Sequence, residues 1–245
     1  MTPDVPVNRP VTAADRLRWV LRGLGQTLIT LGVVLLLFCL YELKVTSLYT
    51  AEQQHDLEND LKRTWAASAP TPIKPGATPH VIPALGQGFA RVYLPSIGRD
   101  QVHVVVEGVG TDDLKRGPGH YPGTAEPGEI GNVVISGHRT TYGAPFNRLD
   151  ELHDGDPVVL ETQSFFYTYR VVAMTIVSPD AIGETDPVPN KPGVAPTQRL
   201  LTLTTCNPKY SAKTRLIIRA LLEAPLAKKP GVLPPALQPI LIRKA

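Results

Sequence analysis

The first strong pattern along the chain is a continuous apolar segment near its N-terminus. Residues 24–43 read LGQTLITLGVVLLLFCLYEL and carry no charge before Glu42. At about 1.5 Å per residue, such a helix spans the hydrocarbon layer of a membrane. Four arginines precede the segment and Lys44 follows it, so the positive-inside rule predicts a cytoplasmic N-terminus and an external remainder. A cleaved signal peptide is the alternative, but the run is too long and lacks a clean cleavage site.

The next stretch is polar and predicts a helix followed by an extended stalk. From residue 44 to residue 69, helix-forming residues predominate, and Leu57, Leu61 and Trp65 recur at four-residue spacing. This spacing predicts a juxtamembrane helix whose apolar stripe packs on a partner or on the membrane surface. Five prolines between residues 70 and 83 then favour an extended chain.

After residue 85 the pattern changes to short apolar runs separated by glycine and proline. These runs predict strands at Phe89–Leu94, Val102–Glu107, Asn132–Ser136, Pro157–Glu161, Phe166–Val177, Leu200–Thr205 and Arg215–Leu222. Many short strands with such punctuation indicate an all-β sandwich or barrel. Two short helical turns are expected at Thr111–Lys115, capped by Thr111, and at Phe146–Leu152, and a Pro-rich loop covers residues 178–198.

The chain therefore divides into five parts. They are a cytoplasmic segment (1–23), a transmembrane helix (24–43), a helix and Pro-rich stalk (44–85), a β domain (86–225) and a Pro-rich basic tail (226–245). The tail is too short and too interrupted to predict a second membrane span.

Composition narrows the function. Charged residues are 19% of the chain, the net charge is +3, and no basic stripe or aromatic platform is present, so we expect no nucleic-acid partner. The two cysteines are Cys39, inside the apolar run, and Cys206. A disulfide between them would need one thiol within the bilayer, which leaves Cys206 as an unpaired external thiol. The six histidines show no metal-ligand spacing, and we expect neither a metal nor a cofactor.

Two titratable residues stand at the ends of predicted strands. The strand 200–205 ends at Cys206, a turn follows, and the next strand begins with Arg215. A thiol beside a fixed cation at a strand end suits nucleophilic catalysis, although a lone cysteine also packs well in a core. His138 likewise follows the strand 132–136, and strand ends on one rim of a barrel converge in space. His120, by contrast, is expected in a loop.

The sequence around these residues resembles that of a known family. The string TLTTCNPKYSAKTR, which ends at Arg215, is similar to the sortase signature, and HRTTYGAPF after Gly137 resembles class E sortases. The resemblance covers residues 89–222. It implies a closed β-barrel of about eight strands, with Cys206 as nucleophile, His138 as general acid and base, and Arg215 as the oxyanion donor. Arg219 lies on the same strand face, but Arg215 is nearer the turn and matches the family's position.

The resemblance also implies a substrate. Class E sortases are similar to this chain in having a tyrosine at the place of Tyr121, within the Gly-rich and Pro-rich segment 117–131, which is otherwise ordinary turn sequence. The implied substrate is a Leu-Ala-x-Thr-Gly motif of exported proteins, cleaved between Thr and Gly through a thioester. The implied acceptor is an amine of the lipid-linked peptidoglycan precursor.

Three other functions fit parts of the sequence. A pilin-polymerising sortase usually carries an Asp-Pro-aromatic lid, but Asp156-Pro157 and Asp186-Pro187 are each followed by valine. A membrane-anchored thiol hydrolase would use water as the acceptor. A non-catalytic, membrane-anchored wall-binding protein would tolerate loss of the Cys206 thiol.

Overall fold

The computed structural model describes residues 13–67 and 83–238. Most of the predicted cytoplasmic segment, nearly all of the Pro-rich stalk and the end of the basic tail therefore lie outside the described residues. Residues 1–44 and 45–245 form two compact units.

The N-terminal unit is dominated by one long apolar helix. Helix α1 covers Ala13–Leu40, and a π-helical turn, Tyr41–Val45, follows it. Within it, Arg16–Leu40 has a mean hydropathy of 2.1 over its most apolar window, and none of that window is buried inside the protein. The helix is long and apolar enough to cross a membrane.

The larger unit is a closed β-barrel. Its eight strands are β1 (Gly88–Tyr93), β2 (Val102–Glu107), β3 (Gly119–His120), β4 (Gly131–Ser136), β5 (Pro157–Glu161), β6 (Phe165–Val177), β7 (Arg199–Asn207) and β8 (Thr214–Ala227). They close in the order β1-β2-β3-β4-β7-β8-β6-β5. The pairs β2–β3 and β4–β7 are parallel and the others are antiparallel. The all-β expectation is confirmed, as a barrel rather than a sandwich.

The structure corrects several details of the sequence prediction. Strand β3 was not predicted, and His120 lies in it rather than in a loop. A two-residue strand that begins with a glycine and follows Pro118 shows no alternation that could reveal it. Strand β8 continues past Leu222 to Ala227, pairing with β6 even at Pro225.

The helical turns also differ from expectation. Helix α3 covers Thr111–Arg116, and its N-cap is Gly110 rather than Thr111. The backbone N–H of Gly110 donates to Asp113 Oδ2 at 3.2 Å, so the acidic residue within the first turn stabilises the helix start. The other predicted turn is shortened to a 3₁₀ helix at Leu149–Glu151, and further 3₁₀ turns occur at Ile182–Thr185 and Pro235–Leu237.

Alternation along the strands separates the core from the outer face. Leu201 and Leu203 of β7 point into the barrel core, together with Val133 and Ile135 of the neighbouring β4. Because successive side chains of a strand point to opposite faces, the intervening residues point outward. On β7 these end with Cys206, so the cysteine belongs to the outer face of the barrel.

Helix α2 (Thr46–Ala67) packs directly on the barrel. Leu57 and Leu61 are buried against Val104 and Val106 of β2. The expectation that this apolar stripe faces a partner or the membrane is therefore wrong, because the barrel itself covers it. The period-four pattern identified a buried face but carried no information about what buries it.

Polar contacts fix the register of α2 against the barrel. Gln54 accepts from the backbone N–H of Val104 at 2.7 Å and donates to the carbonyl oxygens of Val104 and Arg116 at 3.0 and 2.8 Å. At the far end of the helix, two cations lie over the Trp65 ring, with the Arg91 guanidinium carbon 4.7 Å and Lys228 Nζ 4.1 Å from its centroid. Both kinds of contact supplement the apolar burial of the helix.

Candidate active site

Strands β7 and β8 place a thiol opposite a guanidinium. Their antiparallel register pairs Cys206 directly with Arg215. Directly paired residues of antiparallel strands project from the same face of the sheet. Both side chains are partly exposed, and Arg215 Nη1 donates to the carbonyl oxygens of Ala212 and Thr214 at 3.0 and 3.1 Å. The two sequence-predicted residues are thus brought together at one strand end.

His138 reaches the same rim from strand β4. The last residue pair of the parallel β4–β7 ladder is Ser136 with Thr204, so His138 and Cys206 each lie two residues beyond it. The ladder continues between them, because the Gly137 N–H donates to Thr204 O at 3.1 Å and Thr205 Oγ1 donates to Gly137 O at 2.7 Å. The parallel register therefore carries the imidazole and the thiol to neighbouring positions on the outer face.

The ring of His138 is held by packing. The Tyr142 ring lies against it, with centroids 5.0 Å apart and planes inclined by 38°. Burial lowers the pKa of His138, and among the described residues no charged neighbour contributes to the shift. The neutral imidazole is therefore favoured at neutral pH.

The loop after His138 holds Tyr142 in an unusual backbone conformation. Tyr142, Gly143 and Ala144 all have positive φ angles, of 50°, 71° and 45°. A left-handed conformation is unfavourable for non-glycine residues, so the surrounding contacts must hold it. The Phe146 N–H donates to His138 O at 3.1 Å and closes the loop.

Arg139 ties the histidine loop to the cysteine strand. Its side chain is only 4% exposed, and Nη1 donates to Cys206 O at 3.2 Å and to Asn207 Oδ1 at 2.5 Å. Its Nη2 pairs with Asp150 at 3.1 Å. Arg139, the residue next to His138, thus fixes the spacing between the ends of β4 and β7. The sequence did not predict this role.

The second arginine of β8 is already engaged. Arg219 pairs with the carboxylate of Glu184, a buried residue in the loop between β6 and β7. Asn132 Nδ2 also donates to the carbonyl oxygens of Glu184 and Asp186, at 2.9 and 3.1 Å. Arg219 therefore anchors this loop over the outer face of the barrel, which leaves Arg215 as the β8 arginine available beside the thiol.

Tyr121 lies on the same outer face. Its N–H donates to Val134 O at 2.9 Å, which continues the β3–β4 ladder by one residue. This pairing directs Tyr121 to the face that carries Val134 and, two residues beyond the end of β4, His138. The Tyr121 carbonyl accepts from Thr124 Oγ1 at 2.7 Å and from the Thr124 N–H at 3.1 Å, so a tight turn follows it.

One group among the described residues has the composition of a metal site. Ligand atoms of Glu107, His120 and Glu126 lie within 4.8 Å of one another. However, His120 Nδ1 contacts Glu107 Oε2 at 2.7 Å, and Nε2 contacts Ala125 O at 3.1 Å. Because both ring nitrogens already face protein acceptors, neither lone pair is directed at an ion, and we assign no metal to this group.

Comparison with known proteins identifies the family. A family model described as the Sortase domain matches residues 92–223. The chain is 35% identical to Sortase SrtE1 of Streptomyces coelicolor over 225 residues, 86% of this chain and 60% of that protein. The chain thus spans about 60% of the length of this relative.

Solved structures agree. The SrtF sortase of Corynebacterium diphtheriae superposes with a TM-score of 0.62 at 30% identity, covering 69% of this chain and 99% of that one. Sortase E1 of Streptomyces coelicolor, solved with a tripeptide in the active site, gives a TM-score of 0.57 at 36% identity, covering 62% and 97%. Sortases are cysteine transpeptidases, and a cysteine, a histidine and an arginine meet here on one rim of an eight-stranded barrel. The chain belongs to the sortase family and resembles its class E members.

Proposed function

We propose that this protein is a membrane-anchored cysteine transpeptidase that joins exported proteins to a cell-wall amine. The observation that carries the proposal is the convergence of three side chains: Cys206 paired with Arg215 across β7 and β8, and His138 beside them at the end of β4. A nucleophile, a proton carrier and a fixed cation are what acyl transfer through a thioester requires.

In the first half-reaction, Cys206 Sγ attacks the threonine carbonyl carbon of the sorting signal. His138 is neutral at rest, as its burial favours, and accepts the thiol proton as the sulfur attacks. Arg215 donates hydrogen bonds to the oxyanion. When the bond to glycine nitrogen breaks, His138 returns the proton to the departing amine, and the thioester remains.

In the second half-reaction an amine replaces glycine. The amine nitrogen attacks the thioester carbonyl, His138 takes its proton, and the Cys206 thiolate leaves and is reprotonated. The pKa of His138 matters in both halves, because the same ring must accept and then donate a proton.

The proposed substrate carries a Leu-Ala-x-Thr-Gly motif. Tyr121 continues the ladder beside the strand that leads to His138. In this proposal its ring would fill space that a proline ring of the substrate needs, whereas alanine would leave room and add a backbone N–H. The tripeptide in the active site of Streptomyces coelicolor Sortase E1 supports a peptide ligand for this kind of barrel. The acceptor would be an amine of the lipid-linked peptidoglycan precursor.

The proposed location is the outer face of the cell membrane. The apolar part of helix α1, from residue 24 onward, would span the bilayer once, with the N-terminus in the cytoplasm and residues 44–245 outside, because the arginines lie on the N-terminal side of residue 24. This placement brings the barrel to the surface where exported proteins and wall precursors meet.

Product analysis tests the proposal. The full chain in detergent is incubated with a Leu-Ala-x-Thr-Gly peptide, with and without an amine acceptor, and products are identified by mass spectrometry. We expect a product in which the threonine carbonyl is joined to the added amine. Cleavage at an amine-independent rate without such a product would instead indicate a thiol hydrolase, and no cleavage would indicate a wall-binding protein.

The same assay tests Tyr121. We expect the alanine peptide to react faster than the corresponding Leu-Pro-x-Thr-Gly peptide. In Tyr121→Ala this preference should fall by about tenfold or more, which is the usual scale for a small apolar group in a pocket. Tyr121→Phe retains the ring and serves as the matched control. An unchanged ratio of kcat/KM values in Tyr121→Ala would mean that Tyr121 does not select the peptide.

A further inference from the structure

A buried charged pair lies directly behind Tyr121. The parallel β2–β3 register pairs Glu107 with His120, and their exposed fractions are 2% and 0%. His120 pairs with Ile135 of β4, a residue of the barrel core, so its ring points inward while the next residue, Tyr121, points outward. Substrate on the outer face cannot touch either member of the pair.

Hydrogen-bond partners define the protonation of this histidine. Nδ1 lies 2.7 Å from Glu107 Oε2, and Nε2 lies 3.1 Å from Ala125 O and 2.9 Å from Thr124 Oγ1. A carbonyl oxygen only accepts, and so does a carboxylate. Thr124 Oγ1 donates its own hydrogen to Tyr121 O at 2.7 Å and therefore accepts from Nε2, so protonation of both ring nitrogens satisfies all three contacts.

The electrostatic surroundings agree with this assignment. Burial alone would lower the pKa of His120, but the hydrogen bond and charge of Glu107 outweigh it, with smaller contributions from Glu126 and the Ala125 carbonyl, so the pKa is raised. The Phe89 ring packs edge-on against the imidazole, with centroids 5.6 Å apart, and adds no charge. The imidazolium is thus favoured at neutral pH.

The two N–H groups serve different partners. The Nδ1–H holds the carboxylate of Glu107, and thereby neutralises a charge inside the barrel. The Nε2–H holds Thr124 and Ala125, the residues whose turn hydrogen-bonds the Tyr121 carbonyl. The Nε2 proton is therefore the one that fixes the backbone turn that follows Tyr121.

We propose that His120 is a positioning residue, a buried imidazolium whose Nε2–H holds the 121–125 turn and so sets the placement of Tyr121 for peptide selection. This inference rests on the proposed role of Tyr121 and names the group that supports it. His120 does not take part in the bond-making steps, and its loss should affect which peptide is preferred.

Two variants separate the two hydrogen bonds. In His120→Gln the side-chain amide reaches the position of Nε2, and in His120→Asn it reaches the position of Nδ1. We expect His120→Gln to retain the preference for the alanine peptide and His120→Asn to lower it about tenfold, the scale of losing a hydrogen bond from a charged donor. Equal preferences in the two variants would overturn the proposal.

The pH dependence of the preference adds a readout that a purely structural histidine would not change. In wild type the preference should narrow as the pH rises through the raised pKa of His120 and the imidazolium loses a proton, whereas in His120→Gln it should stay constant. A preference that is independent of pH in both proteins would contradict the inferred role.

Nitrogen-15 NMR of the full chain in detergent micelles, labelled at histidine, tests the protonation state without any variant. We expect both His120 nitrogens to show protonated shifts at pH 7 and to titrate together above the usual histidine range. An unprotonated nitrogen at pH 7 overturns the inference whatever the enzyme selects. If the NMR result holds but Tyr121→Ala leaves the peptide ratio unchanged, the proposed role of Tyr121 fails, and the positioning role fails with it.

Discussion

Removing the guanidinium of Arg215 separates a catalytic from a structural role. In the structure, Nη1 of this partly exposed side chain binds two neutral carbonyl oxygens of its own turn, at 3.0 and 3.1 Å. Losing such bonds costs about 1 kcal/mol of folding stability. If the guanidinium also holds the oxyanion, Arg215→Ala should reduce kcat/KM by roughly 10²–10³-fold, equivalent to about 2.7–4 kcal/mol. The rate loss should therefore far exceed the loss of stability.

Arg219 supplies the matched control. It lies four residues along β8, and its partner is the buried carboxylate of Glu184. Arg219→Ala removes the ion-pair partner of that carboxylate and leaves it the Asn190 Nδ2 hydrogen bond at 2.8 Å. Loss of the pair should cost about 3–5 kcal/mol of stability and lower the melting temperature, with a smaller effect on the rate of the folded protein. Thermal denaturation and peptide-cleavage kinetics are measured on both variants.

Arg215→Lys tests the geometry of the donor. A lysine keeps the charge but lacks the planar fork, so it should restore little of the activity. Turnover of Arg215→Ala within about threefold of wild type would refute the assignment on the scale expected for one oxyanion donor. Full rescue by lysine would refute the requirement for a fork.

Three further predictions concern the packing of His138, the packing of helix α2 on the barrel and the orientation of the chain in the membrane. Tyr142→Ala should expose His138 and raise its lowered pKa, so the acidic limb of the kcat/KM–pH profile should move to higher pH. Tyr142→Phe keeps the ring and should leave the limb in place. An unmoved limb in Tyr142→Ala would contradict the packing role. Leu61→Ala should cost about 2–5 kcal/mol of unfolding free energy because Leu61 is 1% exposed, whereas Leu48→Ala, at a site 71% exposed, should cost little; equal costs in denaturant titration would contradict the packing of α2. External protease on intact protoplasts should release the barrel, and its protection would contradict the proposed orientation.

The barrel was predictable because strand alternation and turn residues are local signals. The expected strands Val102–Glu107 and Pro157–Glu161 have the same bounds in the structure. The two-residue strand β3 was missed because it is defined by its neighbours, β2 and β4, rather than by its own sequence. Strand β3 exists because the barrel closes between β2 and β4 at this point, and the pattern of residues along the chain does not show that closure.

The site was predictable only where residues stand at strand ends. Cys206 and His138 follow apolar runs, so their convergence could be expected from barrel geometry, and Arg215 from the turn between strands. The contacts of Arg139 with the cysteine strand, and of His120 with Glu107, connect residues that are distant in the sequence. No local spacing signals such pairs, because they depend on the register between strands.

The central claim is that Cys206 carries the acyl group, and intact-protein mass spectrometry tests it most directly. The protein is mixed with a Leu-Ala-x-Thr-Gly peptide in the absence of an amine and analysed during the first turnovers. We predict a mass increase equal to the peptide up to threonine, minus water, located on the fragment containing Cys206 and released by added amine. Cys206→Ala should show no adduct and no product, because the other cysteine, Cys39, lies on the apolar helix α1. Turnover or an adduct in Cys206→Ala would contradict the account.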